Sequence, residues 1–286
     1  MKPAPFEYLR PGTLEEALVA LDHDDAKIIA GGQTLVPMMN FRLVAPERLV
    51  DINGIAELSR INETEGGIRI GALVRHAQAA RDPLLKNAFP VVADAMRHVA
   101  HLAVRNRGTI GGSLCHADPS AEWPLLISLL DGGIEIAGGS GTRTCTPGEF
   151  FFAPLMTDLA DDEVLTGVVL PRLPAGTGMA FDEIAQRAGD FAVVACGATV
   201  EMGGDRIVSA RLAFGGLSDV PVRMADVEQA MAGATVADIA GAVAGCADGL
   251  EPNEDMHAAA DYRRSLAPVL ARRVLTAAAG RAGGRE

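Results

Sequence analysis

The sequence predicts an α+β protein built in two parts, on three observations. Short apolar strand-like runs alternate with helix-patterned segments as far as Pro171. The stretch Arg172-Leu173-Pro174-Ala175-Gly176-Thr177-Gly178 then punctuates the chain with proline and glycine and reads as a linker. Beyond it, two strand-like runs precede alanine-rich helical segments. The boundary falls in the linker, giving a first domain over 1–175 and a smaller α+β domain over 176–286, in keeping with domains of ~100–200 residues.

In chain order, Leu14 to Leu21 carries helical apolar spacing behind Thr13, a residue type that caps helix N-termini. Lys27-Ile28-Ile29-Ala30 is a short apolar strand that runs straight into a Gly-Gly step. Glu47 to Ile52 and Gly67-Ile68-Arg69-Ile70-Gly71 read as further strands. Pro90 to Ala103 reads as a helix leading to a second Gly-Gly step, Pro124 to Leu130 as a buried helix, and Gly133-Ile134-Glu135-Ile136-Ala137 as a strand ending at a glycine cluster. In the second part, Ala192 to Glu201 and Ile207 to Phe214 are strand-like and flank the turn Gly203-Gly204-Asp205. Helices follow around Ala225 to Met231 and Val236 to Ala247. No internal repeat or heptad run is evident.

The two glycine segments, Ala30-Gly31-Gly32-Gln33-Thr34-Leu35 and Thr109-Ile110-Gly111-Gly112-Ser113-Leu114, carry the most chemistry. A Gly-Gly step lets the backbone come close to an anion and turn its N–H groups inward, while Thr34, Thr109 and Ser113 add hydroxyl donors. Together they read as a clamp for a pyrophosphate, so the expected ligand is a dinucleotide. Either step alone also reads as an ordinary tight turn in a chain with 32 glycines. The second step has distinctive flanks: Arg105-Asn106-Arg107-Gly108 before it, and His116-Ala117-Asp118-Pro119-Ser120-Ala121-Glu122-Trp123-Pro124 after it. There is no G-x-G-x-x-G, and no glycine is followed by lysine, which excludes the Rossmann fingerprint and the P-loop.

With 25 basic and 37 acidic residues the formal net charge is −12, which repels nucleic acid and anionic membranes; no nucleic-acid role is expected. The N-terminal stretch has charged Lys2, Glu7 and Arg10 and no apolar core of a signal peptide, and no uncharged stretch of ~18 apolar residues is present. No transmembrane segment and a cytoplasmic location are expected. The four cysteines, Cys115, Cys145, Cys196 and Cys246, are too widely spaced for a C-x-x-C or other ligand cluster. They read as buried small hydrophobes in a reducing compartment. Cys115 alone lies beside a glycine segment.

These residues resemble a known family. Met1-Lys2-Pro3, Phe6-Glu7-Tyr8, Pro11 and Leu14-Glu15-Glu16-Ala17-Leu18 open the resemblance. The first glycine segment continues it through Leu35-Val36-Pro37-Met38-Met39-Asn40-Phe41-Arg42 and Val50-Asp51-Ile52-Asn53. Phe150 to Pro171, with Thr157, Leu159, Glu163 and Leu165, and then Gln186-Arg187-Ala188-Gly189-Asp190-Phe191-Ala192 extend it. Asp261-Tyr262-Arg263-Arg264-Ser265-Leu266-Ala267-Pro268-Val269-Leu270-Ala271-Arg272-Arg273 closes it. In this order they resemble the FAD-binding medium subunit of the molybdenum hydroxylases, which include xanthine dehydrogenase and aerobic carbon monoxide dehydrogenase.

The resemblance implies an FAD-binding domain of the vanillyl-alcohol oxidase (PCMH) type over 1–175, with subdomains of about 1–57 and 58–175. A C-terminal domain of the CO dehydrogenase flavoprotein type over 176–286 would follow. One glycine segment from each subdomain would close on the pyrophosphate, largely through backbone contacts. The implied cofactor-binding residues are Ala30, Gly31, Gly32, Gln33, Thr34, Leu35, His101, Thr109, Ile110, Gly111, Gly112, Ser113, Glu122, Leu165, Glu183 and Phe191. Among these, Glu122 matches a carboxylate that accepts hydrogen bonds from FAD hydroxyls, or reads as a solvated residue at a helix start. Leu165 matches a position against the flavin. Phe191 matches an aromatic near the isoalloxazine, or reads as a core phenylalanine. His101 would pack by the adenine or the flavin edge, since His98 and His101 lack a third ligand for a metal. His116 reads as a supporting donor or a turn residue, and Arg187 and Asp190 as an ion pair. Two departures stand out: Glu183 aligns where some relatives carry a lysine near the flavin, and Pro154 stands where glycine is common.

The activity implied is electron transfer. A molybdenum-cofactor large subunit would hydroxylate a substrate and an iron–sulfur small subunit would conduct the electrons through its 2Fe-2S clusters. FAD in this chain would pass them to an external acceptor. No catalytic residue and no metal ligand is assigned to this chain, whose cysteine spacing holds no cluster. The assembly implied is a dimer of heterotrimers. His116-Ala117-Asp118-Pro119 with Glu122-Trp123-Pro124 looks closer to subunits of N-heterocycle and aromatic hydroxylases than to the carbon monoxide type. Two other classes are kept: an independent flavin oxidase or dehydrogenase with its own small substrate, and a non-catalytic FAD-binding module.

Overall fold

The computed structural model describes residues 1–284, and its strands fall into four sheets. Nearest the N-terminus, β1 (Glu7–Leu9), β2 (Ala26–Ile29) and β3 (Arg48–Asp51) form a parallel sheet with β3 in the middle. Parallel strands of one sheet need crossover connections, and the helix Leu14–Leu21 helps carry the chain from β1 to β2, on the other side of β3. The Thr13 hydroxyl caps it by accepting from the Glu16 N–H at 3.2 Å. Ala17 and Leu21 join Val50 and Ile52 in a small core of their own.

The second sheet draws on β4 (Ile61–Thr64), β5 (Gly67–Gly71), β6 (Gly133–Gly138) and β7 (Gly141–Cys145). A small hairpin follows, β8 (Phe151–Ala153) with β9 (Met156–Thr157), and then β10 (Val164–Pro171) inserts into the centre. The resulting order is β4-β5-β10-β6-β7, antiparallel throughout. After residues 172–177 the chain builds a third antiparallel sheet from β11 (Gly178–Ala185), β12 (Ala192–Gly203), β13 (Arg206–Gly215) and β14 (Val222–Arg223).

The helix Glu122–Leu130 ties the halves together. It packs on β12 and β13 and also reaches β10, and every one of its residues is buried. The other face of the third sheet is covered by the helix Ala260–Arg281. Residues 192–200 are therefore all buried, because a strand covered on both faces has no solvent side. Alternate residues serve two cores: Ala195 belongs to the one under Glu122–Leu130, Cys196 and Ala198 to the one under the long helix. At Gly197 the first helix comes so near that a Cβ would lie 2.8 Å from the Leu129 side chain.

Two expected helices are shorter than their patterns. Pro90 to Ala103 is helical only as Pro90–Ala95, followed after a turn by Leu102–Arg105. The Arg105 guanidinium reaches back to the carbonyls of Val99 and Ala100 at 2.7 Å each, and Ala100 adopts φ +40°, so the chain is held out of the helix there. Val236 to Ala247 gives a 3-10 turn, Val236–Asp238, and one helical turn, Ile239–Ala242. Gly245, at φ +104°, supplies a left-handed conformation that a helix does not tolerate. None of the described helices is long and apolar enough to cross a membrane.

Candidate functional site

A cavity of about 540 Å³ lies where the first sheet, the second sheet's helices and a turn of the C-terminal half meet. That volume is within the ~300–1,000 Å³ of small-molecule and cofactor pockets. Its wall contains residues 30–35, Thr109, Gly111, Gly112, Ser113, Glu122, Leu165 and Phe191. Of the sequence-predicted residues, Ile110, His101 and Glu183 are absent from that wall.

Strand β2 delivers the first glycine segment to the cavity, and the helix Leu35–Asn40 leaves from it. Gly32 turns the chain at φ +70°. The main-chain N–H groups of residues 31–35 find no acceptor among the described residues. Thr34, at the helix start, makes no side-chain capping bond, so its hydroxyl is free as well. Successive unpartnered N–H groups around a turn form a concavity suited to an anion.

The second segment is built differently. Thr109 is the cap of the helix Ile110–His116, its hydroxyl accepting from the Gly112 N–H at 3.1 Å. The N–H groups of Ile110 and Gly111 donate to the carbonyls of Val74 and Ala72, and that of Ser113 to the carbonyl of Thr109. Ile110 itself points into the core. The expectation of inward-turned N–H groups in this segment is therefore corrected: residues 110–113 spend theirs on the protein, leaving the Ser113 and Thr109 hydroxyls as donors. Gly111 serves packing, since a Cβ there would lie 2.7 Å from that of Ala72.

The two segments touch. A Cβ on Gly31 would fall 2.5 Å from the Arg107 carbonyl oxygen and 2.9 Å from the Gly108 Cα. A polar strut holds them at that separation. The Arg75 guanidinium donates through Nη1 to the Arg107 carbonyl and through Nη2 to Asn53 Oδ1, and Asn53 Nδ2 donates to the Ala30 carbonyl at 2.8 Å. Asp51 steadies Asn53, accepting its N–H at 2.9 Å, and also accepts from the Tyr8 hydroxyl. Arg75 had no sequence signal, because the residues it joins come from three distant places in the chain.

His76 was also missed. It is 6% exposed, lines the cavity, and accepts at Nδ1 from the Trp123 indole N–H at 3.0 Å. Burial, reinforced by Arg75 and Arg105, pushes its pKa down to about 4. The folded state thus holds a neutral imidazole that the unfolded chain protonates near 6.5. Its contribution to stability is complete above pH 6.5 and is lost as pH falls from 6.5 to about 4, amounting to roughly 3 kcal/mol. Urea unfolding of wild type and His76→Gln across pH 4–7 checks this: the difference between the two proteins should shrink steadily below pH 6.5.

Glu122 is the first residue of its helix and only 6% exposed, which removes the solvated alternative. Burial first, and then the charge of Glu183, raise its pKa to about 8, so its carboxyl is protonated at neutral pH and donates as well as accepts. Leu165, on β10 beside a bulge, lines the cavity. Phe191 is 61% exposed, so it is no core residue; it stands on the turn from Arg187 to Phe191 at the cavity rim. The exposed His101 supports that turn from outside: a Cβ on Gly189, which has φ +89°, would lie 3.0 Å from its ring. Glu183, on β11, lines a second, smaller cavity behind the turn. Cys115 lines the main cavity, and burial pushes its thiol up to about 12.

A family model described as FAD binding domain in molybdopterin dehydrogenase matches residues 4–173, and one described as CO dehydrogenase flavoprotein C-terminal domain matches 179–278. The nicotine 6-hydroxylase medium subunit of Paenarthrobacter nicotinovorans is 37% identical over 285 residues, 98% of this chain and 100% of that one. The caffeine dehydrogenase subunit beta of Pseudomonas sp. is 37% identical over 288 residues, 98% of this chain and 97% of that one. Among solved structures, quinoline 2-oxidoreductase from Pseudomonas putida 86 superimposes with a TM-score of 0.94 at 39% identity, covering 100% of both chains. A carbon monoxide dehydrogenase from Hydrogenophaga pseudoflava gives 0.94 at 33% identity, covering 99% of this chain and 100% of that one.

Proposed function

The chain belongs to the family of FAD-binding medium subunits of molybdenum hydroxylases, and from that premise we propose that it is the electron-output subunit of such an enzyme. It is an oxidoreductase component with an FAD-binding domain. Electrons would reach it from the 2Fe-2S clusters of an iron–sulfur small subunit, after substrate hydroxylation on a molybdenum-cofactor large subunit, and leave to an external acceptor. Two such heterotrimers would pair, in the cytoplasm. The FAD supplies the redox chemistry; this chain supplies position and electrostatics.

The observation that carries the residue assignment is the row of five unpartnered N–H groups at 31–35, set against the second glycine segment across one cavity. Those groups hold the pyrophosphate, with the Thr34, Thr109 and Ser113 hydroxyls beside them. Glu122 hydrogen-bonds hydroxyls of the FAD, and Leu165 and Phe191 flank the flavin. His101 acts through the Gly189 turn, and Glu183 from the second cavity, rather than by lining the site. The FAD-holding unit is residues 1–175, with subdomains of about 1–57 and 58–175, and 176–286 is the C-terminal unit.

For substrate, we infer an N-heterocycle or other aromatic. In support, the relatives named for nicotine, caffeine and quinoline share 37–39% identity with this chain, against 29–33% for the carbon monoxide dehydrogenases. Screening the complete enzyme with pyridine, purine and quinoline compounds and with carbon monoxide tests it, by the bleaching of flavin absorbance under anaerobic conditions. Bleaching by carbon monoxide alone would reverse the assignment.

A further inference from the structure

The turn that brings Gly189, Asp190 and Phe191 to the wall of the main cavity joins β11 to β12, and both of its shoulders are tied to residues far along the chain. On the β11 side, Gln186 Nε2 donates to the His257 carbonyl at 2.9 Å. On the β12 side, the Val193 carbonyl accepts from Arg263 Nη1. The two ties meet at Asp255. Its Oδ2 accepts from Arg263 Nη2 at 2.7 Å, and its Oδ1 accepts from the N–H groups of His257 and Ala258 at 2.8 and 3.0 Å. Gln186, His257, Asp255, Arg263 and Val193 thus form a clasp across the base of the turn.

Arg263 sits in the first turn of the helix Ala260–Arg281, is 4% exposed, and has its Nε buried with no partner. A buried guanidinium is costly to desolvate, and an apolar side chain of similar length would fill the same space without the orphaned N–H. What an apolar side chain does not provide is a fork that reaches a carboxylate and two carbonyls at once. Besides Val193, Nη1 donates to the Gly216 carbonyl at 3.3 Å, just past the end of β13. Gly216 is itself held fast: it has φ +77°, its N–H donates to the Pro119 carbonyl at 2.9 Å, and a Cβ there would lie 2.6 Å from the Val193 carbonyl oxygen. The pairing of β12 with β13 ends at Ala195 and Gly215. Beyond that point the guanidinium replaces the missing ladder bonds and keeps Val193 against Gly216.

We propose that Arg263 is a positioning residue for the flavin: it fastens the base of the turn from Arg187 to Phe191, so that Phe191 stands at the rim of the main cavity. The purpose rests on the reading that Phe191 flanks the flavin. Phe191 is 61% exposed, so the turn draws little order from burying its own tip and takes it from the clasp at its base. Residues 1–175 hold both glycine segments, and the C-terminal half adds this edge of the site through one buried side chain.

Two measurements on the full-length chain test this. The first needs no flavin: trypsin cleavage after Arg187, an exposed residue of the turn, reports how often the turn leaves its place. In Arg263→Lys, whose single ammonium does not span the three acceptors, that cleavage is expected to run about fivefold faster or more, with cleavage after the exposed Arg42 unchanged. Asp255→Asn, which sets an amide donor against the guanidinium, should do the same and stands in should Arg263→Lys fail to fold. Cleavage after Arg187 no faster than in wild type, or an equal rise after Arg42, overturns the proposal. The second measures FAD release from Arg263→Lys, Phe191→Ala and the double variant. Arg263→Lys should speed release about fivefold or more, but less than about twofold once Phe191 is gone, because a residue that acts through Phe191 then has nothing left to position. An undiminished effect in the Phe191→Ala background overturns it as well. A chain that takes up no FAD, or a Phe191→Ala variant that releases FAD no faster than wild type, would instead sink the flavin reading, while the cleavage result would still decide whether Arg263 holds the turn.

Discussion

Gly31→Ala is expected to weaken FAD binding sharply while leaving a folded chain. The new Cβ would sit 2.5 Å from the Arg107 carbonyl and 2.9 Å from the Gly108 Cα, and both obstacles are backbone, which cannot rotate away as a side-chain tip can. The two glycine segments must then part. Overpacking of this kind costs about 1–3 kcal/mol. If that cost falls on the bound geometry, affinity drops on the order of 5- to 150-fold. In the flavin-free chain the Arg75–Asn53 strut opposes that parting, so part of the cost appears there as a lower melting temperature. Flavin fluorescence titration of Gly31→Ala beside Gly148→Ala checks this, since nothing lies within 4 Å of a Cβ at Gly148. Equal affinity in the two variants would mean that the segments do not close on one ligand.

Arg75→Met is expected to give the second largest loss. It removes the guanidinium that joins the Arg107 carbonyl to Asn53, and through Asn53 the Ala30 carbonyl, while keeping the aliphatic stem. Hydrogen bonds from a charged donor contribute about 1.5–3 kcal/mol each, and here they fix the spacing of the glycine segments more than the stability of either core. FAD should therefore dissociate roughly tenfold faster or more, for a loss of at least about 1.4 kcal/mol. The melting temperature of the flavin-free chain should move little. Arg75→Lys should restore only part of the effect, because one ammonium does not span both acceptors in a fork. Stopped-flow dissociation rates for the three proteins decide it.

Much of the scaffold was legible because its signals are local. Thr13 before an apolar period of 3.6 marks a real helix start, and Ile28-Ile29 running into Gly31-Gly32 marks a strand delivering a turn. What was not legible depends on partners distant in sequence. Nothing near Gly111 announces that its N–H is taken by Ala72 or that its missing Cβ makes room for that residue. For Glu122 the sequence leaves a site carboxylate and a solvated helix start both open, and the second closes only when β10, β12 and β13 are seen to enclose its helix. The apolar pattern of Pro90 to Ala103 continues past the helix because Val99 goes into the core and Ala100 packs against it, while Arg105 holds the backbone in another shape. The family resemblance puts Glu183 near the flavin, yet the Gly189 turn puts it behind a partition.

Affinity purification of the chain from its native cell under mild conditions, with flavin, iron and molybdenum quantified in the same sample as the co-purifying proteins, tests the central assignment most directly. The expected result is FAD together with iron, molybdenum and two partner chains, one supplying the 2Fe-2S clusters and the other the molybdenum cofactor. FAD arriving with the chain alone, and turnover of a small substrate by that chain without partners, would contradict it and make the protein a self-contained flavin enzyme.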